Sequence, residues 1–367
     1  MLHDCKYAQI MRALFRVDAS AGMGAGHFMR CLNLGLALKK RGHDIAFAYV
    51  KLPRALSSLL VANSIPSFKL AINTTGKRAT EYSIYDQWLS GSQSDDARAF
   101  LSVSKETRPD CVIVDHYALD SVWENLVRGH TEKVLVIDDL ANREHSCDFL
   151  LDQNFHTDMV SRYRSFVNPE TRLLLGPKFA LLGEGFRIER ASLCERDGKV
   201  RNILIFFGGG DPENCTEMVL KVLECMPLNG VAVTVLVGDQ HPAIASLEKR
   251  CKERGYKFLI QSEDVPRLMS KAHLCIGAAG VSTWERCCLG LPTLAITIAD
   301  NQVPIAQAAA VKGAICYLGE QRKVTSISLE RTLRKMMSSP DNLMKMSRVA
   351  MALVDGNGTE RISEIIS

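Results

Sequence analysis

With 367 residues, of which 47% are hydrophobic and 23% charged, the chain is too long for one ordinary core and reads as two globular domains. Its 45 basic and 41 acidic residues are mixed along the length to a net charge of +4, without the basic block or aromatic stripe of a nucleic-acid groove, so no nucleic-acid partner is expected. No apolar run reaches the roughly 18 residues of a membrane helix, and the N-terminus lacks a signal-peptide core, so the expectation is a soluble cytoplasmic protein with no membrane partner.

The twelve cysteines are scattered, mostly inside apolar runs and without a CxxC, which reads as reduced core thiols and not as disulfides or zinc ligands. Residues 1 to 10 precede the first convincing strand and are given no role. From there short apolar runs alternate with helix-period segments: ALFRVDA, a helix over 27–40, DIAFAYV, a helix over LPRALSSLLVAN, then CVIVDHY, KVLVIDDL and FLLDQN. The second half repeats the alternation with RNILIFFGGG, a helix over 214–225, VAVTVLVG, KFLIQ, HLCIGAA, a helix over STWERCCLG, and TLAITIAD. Such alternation builds parallel sheets from βαβ units, so an α/β chain of two Rossmann-like, doubly wound domains facing across a cleft is expected. The boundaries read as 11–182 and 203–355, joined by a polar, glycine-bearing linker over 183–202.

Polar and glycine-rich residues gather at the strand ends, where open parallel sheets bind ligands. GMGAGH, residues 22–27, follows a strand and opens a helix, and Gly24 and Gly26 expose backbone amides at the positive helix end, a setting that favours an anion. It fits neither Walker A nor the dinucleotide fingerprint. His27 there is either a first-turn residue or a general base, given an ordinary histidine pKa of roughly 6.5. FFGGGDPEN, residues 206–214, repeats the geometry: Gly208, Gly209 and Gly210 permit close backbone approach, while Asp211 or Asn214 can cap the next helix.

The longest constellation is GAAGVSTWERCCLGLPTLAITIADNQ, residues 277–302. Ser282 and Thr283 open a helix whose N-terminus suits a diphosphate, Glu285 is placed either to accept hydrogen bonds from two ribose hydroxyls or as a plain helix carboxylate, and the next strand ends in Asp300, Asn301 and Gln302. In the first domain, strands end in Asp115, His116 and Tyr117 and in Asp138 and Asp139. Clustered carboxylates of this kind serve metal binding, acid/base chemistry or simple turn capping.

Taken in order, RVDASAGMGAGHFMRCLNLGLAL, VIVDHYALD, VIDDLANREHSCDFLLDQN, LLGPKFALL, ILIFFGGGDPEN and IGAAGVSTWERCCLGLPTLAITIADNQ resemble the UDP-sugar hydrolases of pseudaminic acid biosynthesis, the PseG family. The resemblance spans about residues 13–310. It implies a MurG-like GT-B fold whose second half binds UDP, and hydrolysis of UDP-2,4-diacetamido-2,4,6-trideoxy-β-L-altropyranose. It implies His27 as the catalytic residue, with Tyr117 facing the sugar. Glu285 and Asn301, with Ser282, Thr283 and Gln302 beside them, would hold the UDP, and Gly208 and Gly209 would lie near its phosphates. Asp115 and Asp139 match without a role to carry across. The stretch 75–100 has the look of a substrate-side loop but aligns poorly.

The expected reaction is attack of water on the anomeric C1, activated by His27, with C–O cleavage and inversion. Asp18 and Asp115 are the candidates to orient the imidazole, and Arg30 is a candidate to neutralise the diphosphate. No metal and no cofactor are expected, and association with other enzymes of the pathway is a further implication. A MurG-like glycosyltransferase, a hydrolysing UDP-GlcNAc 2-epimerase and a non-catalytic UDP-sugar binding module are the alternatives. By analogy with GT-B proteins, a helix near 340–354 is expected to pack back on the first domain.

Overall fold

Each apolar run of the sequence becomes a strand, because a strand covered on both faces must be apolar throughout; CVIVD and TLAIT are buried at every position. The computed structural model describes residues 10–20, 22–72, 85–262 and 264–367. The chain divides into two compact units. Unit 1 comprises the chain through Asp152, Val160–Leu175 and Thr359–Ser367; unit 2 comprises Gln153–Met159 and Gly176–Gly358.

In chain order unit 1 carries β1 (Arg12–Val17), α1 (Gly26–Lys40), β2 (Asp44–Tyr49), α2 (Arg54–Ala62), β3 (Ser67–Lys69), α3 (Gln93–Thr107), β4 (Cys111–Asp115), α4 (Ser121–Arg128), β5 (Lys133–Ile137) and β6 (Phe149–Asp152), then α5 (Met159–Tyr163) and β7 (Arg172–Leu175). The seven strands form one parallel sheet in the order β3-β2-β1-β4-β5-β6-β7. One face is filled by Leu14, Phe100, Val112, Trp123, Val134 and Leu150.

Unit 2 carries α6 (Glu184–Ala191), β8 (Asn202–Phe206), α7 (Cys215–Glu224), β9 (Ala232–Val237), α8 (Ile244–Arg254), β10 (Lys257–Ile260), α9 (Val265–Lys271), β11 (Leu274–Ala278), α10 (Ser282–Cys288), β12 (Thr293–Thr297), α11 (Val303–Lys312), β13 (Cys316–Glu320), α12 (Ser326–Met337) and α13 (Pro340–Leu353). Its six strands are also parallel, in the order β10-β9-β8-β11-β12-β13. Alternate strand residues feed two cores, Ile203, Ile205, Val235 and Ile276 on one face and Leu204, Leu236, Cys275 and Ala295 on the other, as a pleated strand buried on both sides requires. The expected doubly wound pair of parallel-sheet domains is what the chain forms.

The stretch 183–202, expected to be a linker, carries α6 and lies within unit 2. Phe186 is buried, and Arg190 donates to the carbonyls of Met351 and Val354 at 3.0 and 2.9 Å, at the end of the helix over 340–353. The helix that belongs with unit 1 is also displaced from expectation. α13 stays in unit 2, and α14 (Gly358–Ile366) runs in unit 1, burying Ile362 and Ile366, with Ile366 O accepting from Lys133 Nζ at 2.8 Å. Among the described residues all cysteines are free, eight of them buried, and no helix is long and apolar enough to cross a membrane.

Candidate active site

Both sheets reverse direction next to their first strand. In unit 1 the chain lays β2 and β3 on one side of β1 and returns to place β4 on the other, and this reversal opens a crevice beyond the strand ends. Val17 pairs with Asp115, so the residues that follow β1 meet those at the end of β4. Gly24, at φ +74°, closes the turn before α1 with its amide on Ser20 O at 2.8 Å, and α1 starts at Gly26 without a side-chain cap or a first-turn carboxylate. The positive end of the helix is therefore left unneutralised beside His27.

His27 is buried, and its Nδ1 lies 2.6 Å from Asp115 Oδ1. A carboxylate has only lone pairs to offer, so this contact fixes the Nδ1–H tautomer and leaves the Nε2 lone pair as the basic atom. Asp18, the other orienting candidate, is engaged elsewhere: it accepts from Arg16 Nη2 at 3.1 Å and from the amides of Val50 and Lys51 at 2.7 and 3.1 Å. Burial pushes both carboxyls up, and the guanidiniums outweigh it, Arg30 holding Asp115 and Arg16 holding Asp18 well below the usual carboxylate range.

Arg30 does not meet the sequence expectation of a diphosphate ligand. It is 2% exposed and fully engaged: Nε and Nη2 donate to Asp115 at 2.6 and 2.8 Å, and Nη1 donates to Asp139 at 2.8 and 3.0 Å. Its place three residues after His27 puts both on one face of α1, turned to the same strand ends. Tyr117 donates to Asp139 Oδ2 at 2.6 Å and sets its ring edge-on to His27, with centroids 4.5 Å apart. Burial, then the charge of Asp139, pushes the phenol far up and keeps it protonated. Asp138 holds the neighbouring turn instead, accepting from Ala141 N at 2.8 Å and Arg143 Nη1 at 2.7 Å.

Two residues with no motif to announce them complete this surface. Trp88 stacks on Tyr117 with centroids 5.5 Å apart and stands edge-on to His27 at 6.1 Å, and Tyr85 meets both Trp88 and Tyr117 at 5.0 Å. Both lie within the stretch 75–100; residues 75–84 of that stretch fall outside the described residues. The only signal available in the sequence was the aromatic pair in YDQW.

In unit 2 the same reversal falls between β8 and β11. Gly208, at φ +91°, and Gly209 follow β8, and side chains added at either would meet open space. Gly238 is needed because a Cβ there would come 2.0 Å from Gly209 O. Asp211 ties the loop down, accepting from the amides of Cys215 and Thr216 at 2.9 Å each and from the Thr216 hydroxyl at 2.6 Å, while the Asn214 side chain caps α7. After β11, Ser282 opens α10 and is partly exposed. Thr283, expected to face the ligand, is buried with its hydroxyl on Arg286 Nη2 at 3.1 Å.

Glu285 has no hydrogen-bonding partner among the described residues, and burial, against the nearby charge of Arg286, pushes its carboxyl up to about 7. Asn301 is exposed, and Gln302 accepts from Ile298 N at 3.1 Å. Glu285 thus keeps acceptor capacity open.

Solved structures with the same arrangement are enzymes of one architecture. MurG of Acinetobacter baumannii aligns over 98% of this chain and 99% of its own, at a TM-score of 0.66 and 16% identity. The UDP-GlcNAc 2-epimerase of Neisseria meningitidis, solved with UDP-GlcNAc, aligns over 96% of this chain and 99% of its own, at 0.59 and 14%. This chain has the GT-B fold.

Within the GT-B frame, residues 203–362 match the glycosyltransferase family 28 C-terminal domain. The chain is 27% identical over 305 residues to a UDP-2,4-diacetamido-2,4,6-trideoxy-β-L-altropyranose hydrolase of Campylobacter jejuni, covering 83% of this chain and 97% of that protein. It is 28% identical over 207 residues to the spore coat polysaccharide biosynthesis protein SpsG of Bacillus subtilis, a match over 56% of this chain and 61% of that protein.

Proposed function

We propose that this GT-B enzyme hydrolyses a UDP-sugar, with unit 2 binding UDP and His27 of unit 1 activating the water. The observation that carries the reading is the His27–Asp115 pair at 2.6 Å, which leaves Nε2 as a free base at the switch point of the sheet. Water gives its proton to Nε2 as its oxygen forms the bond to C1; the C1–O bond breaks, its electron pair leaves with UDP, and the anomeric configuration inverts. UDP is a stable leaving group once helix and loop amides surround its diphosphate, so neither a strong acid nor a metal is asked for. Asp115 stabilises the imidazolium formed.

On the uridine side the reading rests on Glu285, whose carboxylate is open to two ribose hydroxyls, with Asn301 and Gln302 nearby in sequence and Gly208 and Gly209 offering amides to the phosphates. Likeness to the Campylobacter hydrolase along 97% of its length supports the diacetamido-trideoxy-altropyranose as the sugar. Glycosyl transfer is the second reading, favoured by the family 28 match over 203–362.

The deciding experiment supplies UDP-2,4-diacetamido-2,4,6-trideoxy-β-L-altropyranose in ¹⁸O-labelled water, with EDTA and no acceptor, and follows products by NMR and mass spectrometry. Label in the free sugar is the expected outcome. Label in UDP would move the attack to phosphorus, and absence of UDP release would leave transfer or binding alone.

A further inference from the structure

The buried groups around His27 are tied together through Arg30. Arg30 bridges two carboxylates, Asp115 through Nε and Nη2 and Asp139 through Nη1; Tyr117 closes the far side on Asp139 and His27 the near side on Asp115. Arg30 Nη2 also stands 3.3 Å from His27 Nδ1, close enough for its charge to act directly on the ring.

We propose that Arg30 and Asp139, neither of which is a catalytic residue, are positioning residues whose opposite charges set the proton affinity of His27. Arg30 opposes protonation of the imidazole, and Asp139 offsets Arg30 so that Asp115 keeps its pull on the ring. The inference rests on His27 being the base of the proposed reaction.

The remaining groups that face His27 are constant across the test. Cys31, on α1, points its thiol at Asp115 Oδ2 at 3.6 Å and is held neutral by burial. Trp88 and Tyr117 are uncharged rings. His116, following β4, stands edge-on to Trp88 and accepts from Ala118 N at 3.2 Å. Behind it Asp18 pairs with Arg16, which in turn binds Asp96 at 2.6 and 3.0 Å.

The test is an NMR titration of the His27 imidazole in the ligand-free, full-length protein, assigned by loss of its signal in His27→Gln. Arg30→Gln should raise the midpoint by about one pH unit or more, Asp139→Asn should lower it by a similar amount, and Arg30→Lys should stay near the parent. Opposite signs are the signature, since general loosening of the site would move both variants toward the behaviour of free histidine. Shifts of one sign, or none, would overturn the proposal. Should Arg30→Gln fail to fold, Asp139→Asn decides alone, because its amide oxygen can still accept from Arg30 and Tyr117: a lowered midpoint upholds the proposal, and an unchanged or raised one ends it. The acid limb of the kcat/KM profile for hydrolysis should follow the titration. If the titration moves and that limb does not, the base assignment fails while the charge-setting role stands.

Discussion

The two units present one topology with opposite chemistry at its reversal point. In unit 1 the point is filled by side chains that satisfy one another, with Arg30 gripping Asp115 and Asp139 while His27 and Tyr117 close the ends. In unit 2 it is left open, with glycines where side chains would stand and Glu285 without a hydrogen-bonding partner among the described residues. A buried network satisfied in this way is rigid and holds a proton-transfer group in one geometry, whereas unmet backbone and carboxylate capacity is what a ligand completes. Substitutions in unit 1 should therefore act on turnover and those in unit 2 on affinity.

The largest test of that division is His27→Ala, which should lower turnover by about 10² to 10⁴-fold while calorimetry with UDP gives an unchanged Kd. Turnover near the parent would remove His27 from the mechanism. Glu285→Ala should do the converse, weakening UDP by about 10 to 100-fold, as loss of two charge-assisted hydrogen bonds implies, with kcat little altered. Because burial holds the Glu285 carboxyl near 7, uridine, which carries no titrating phosphate, should bind about tenfold more weakly for each pH unit below 7, and Glu285→Gln should abolish that slope. A flat profile in the parent would separate Glu285 from ribose recognition.

Trp88→Ala removes the ring stacked on Tyr117 and should reduce kcat/KM by about tenfold, in the range of one apolar contact in a substrate pocket. An effect confined to thermal stability would make the tryptophan a packing residue. The smallest expected effect is a gain. A carboxyl raised to about 7 in the folded chain, from an ordinary 4.5, binds its proton more tightly when folded, so its cost to stability is full above pH 7 and disappears below about 4.5. Glu285→Gln should therefore raise the ligand-free stability by roughly 1–3 kcal/mol at pH 8 and by nothing at pH 4, read from denaturant melts at both values.

The sheets were legible because strands buried on both faces must be continuous apolar runs, and CVIVD or TLAIT leaves no other choice. His27, Tyr117 and Glu285 stand in motifs whose resemblance names them before any geometry is known. The choice between Asp18 and Asp115 was not legible, since both end strands; it turns on the pairing of Val17 with Asp115 and on Arg16, which claims Asp18. Arg30 read as a free cation because sequence shows charge but not engagement, although its spacing from His27 held the clue. Trp88 and Tyr85 stand in a stretch without periodicity, and 183–202 hid α6 because its polar, glycine-bearing sequence masks the one buried aromatic, Phe186.

Thr359–Ser367 belongs to unit 1 although some two hundred residues of other structure precede it. On the ribosome, unit 1 is thus begun before unit 2 and finished after it: β1 through β7 emerge early but wait for Ile362 and Ile366 to seal their apolar surface. Synthesis of Thr359–Ser367, and not completion of the first sheet, sets the earliest moment at which that domain can reach its final stability, and a fragment ending at Leu175 would carry an uncovered face that invites aggregation.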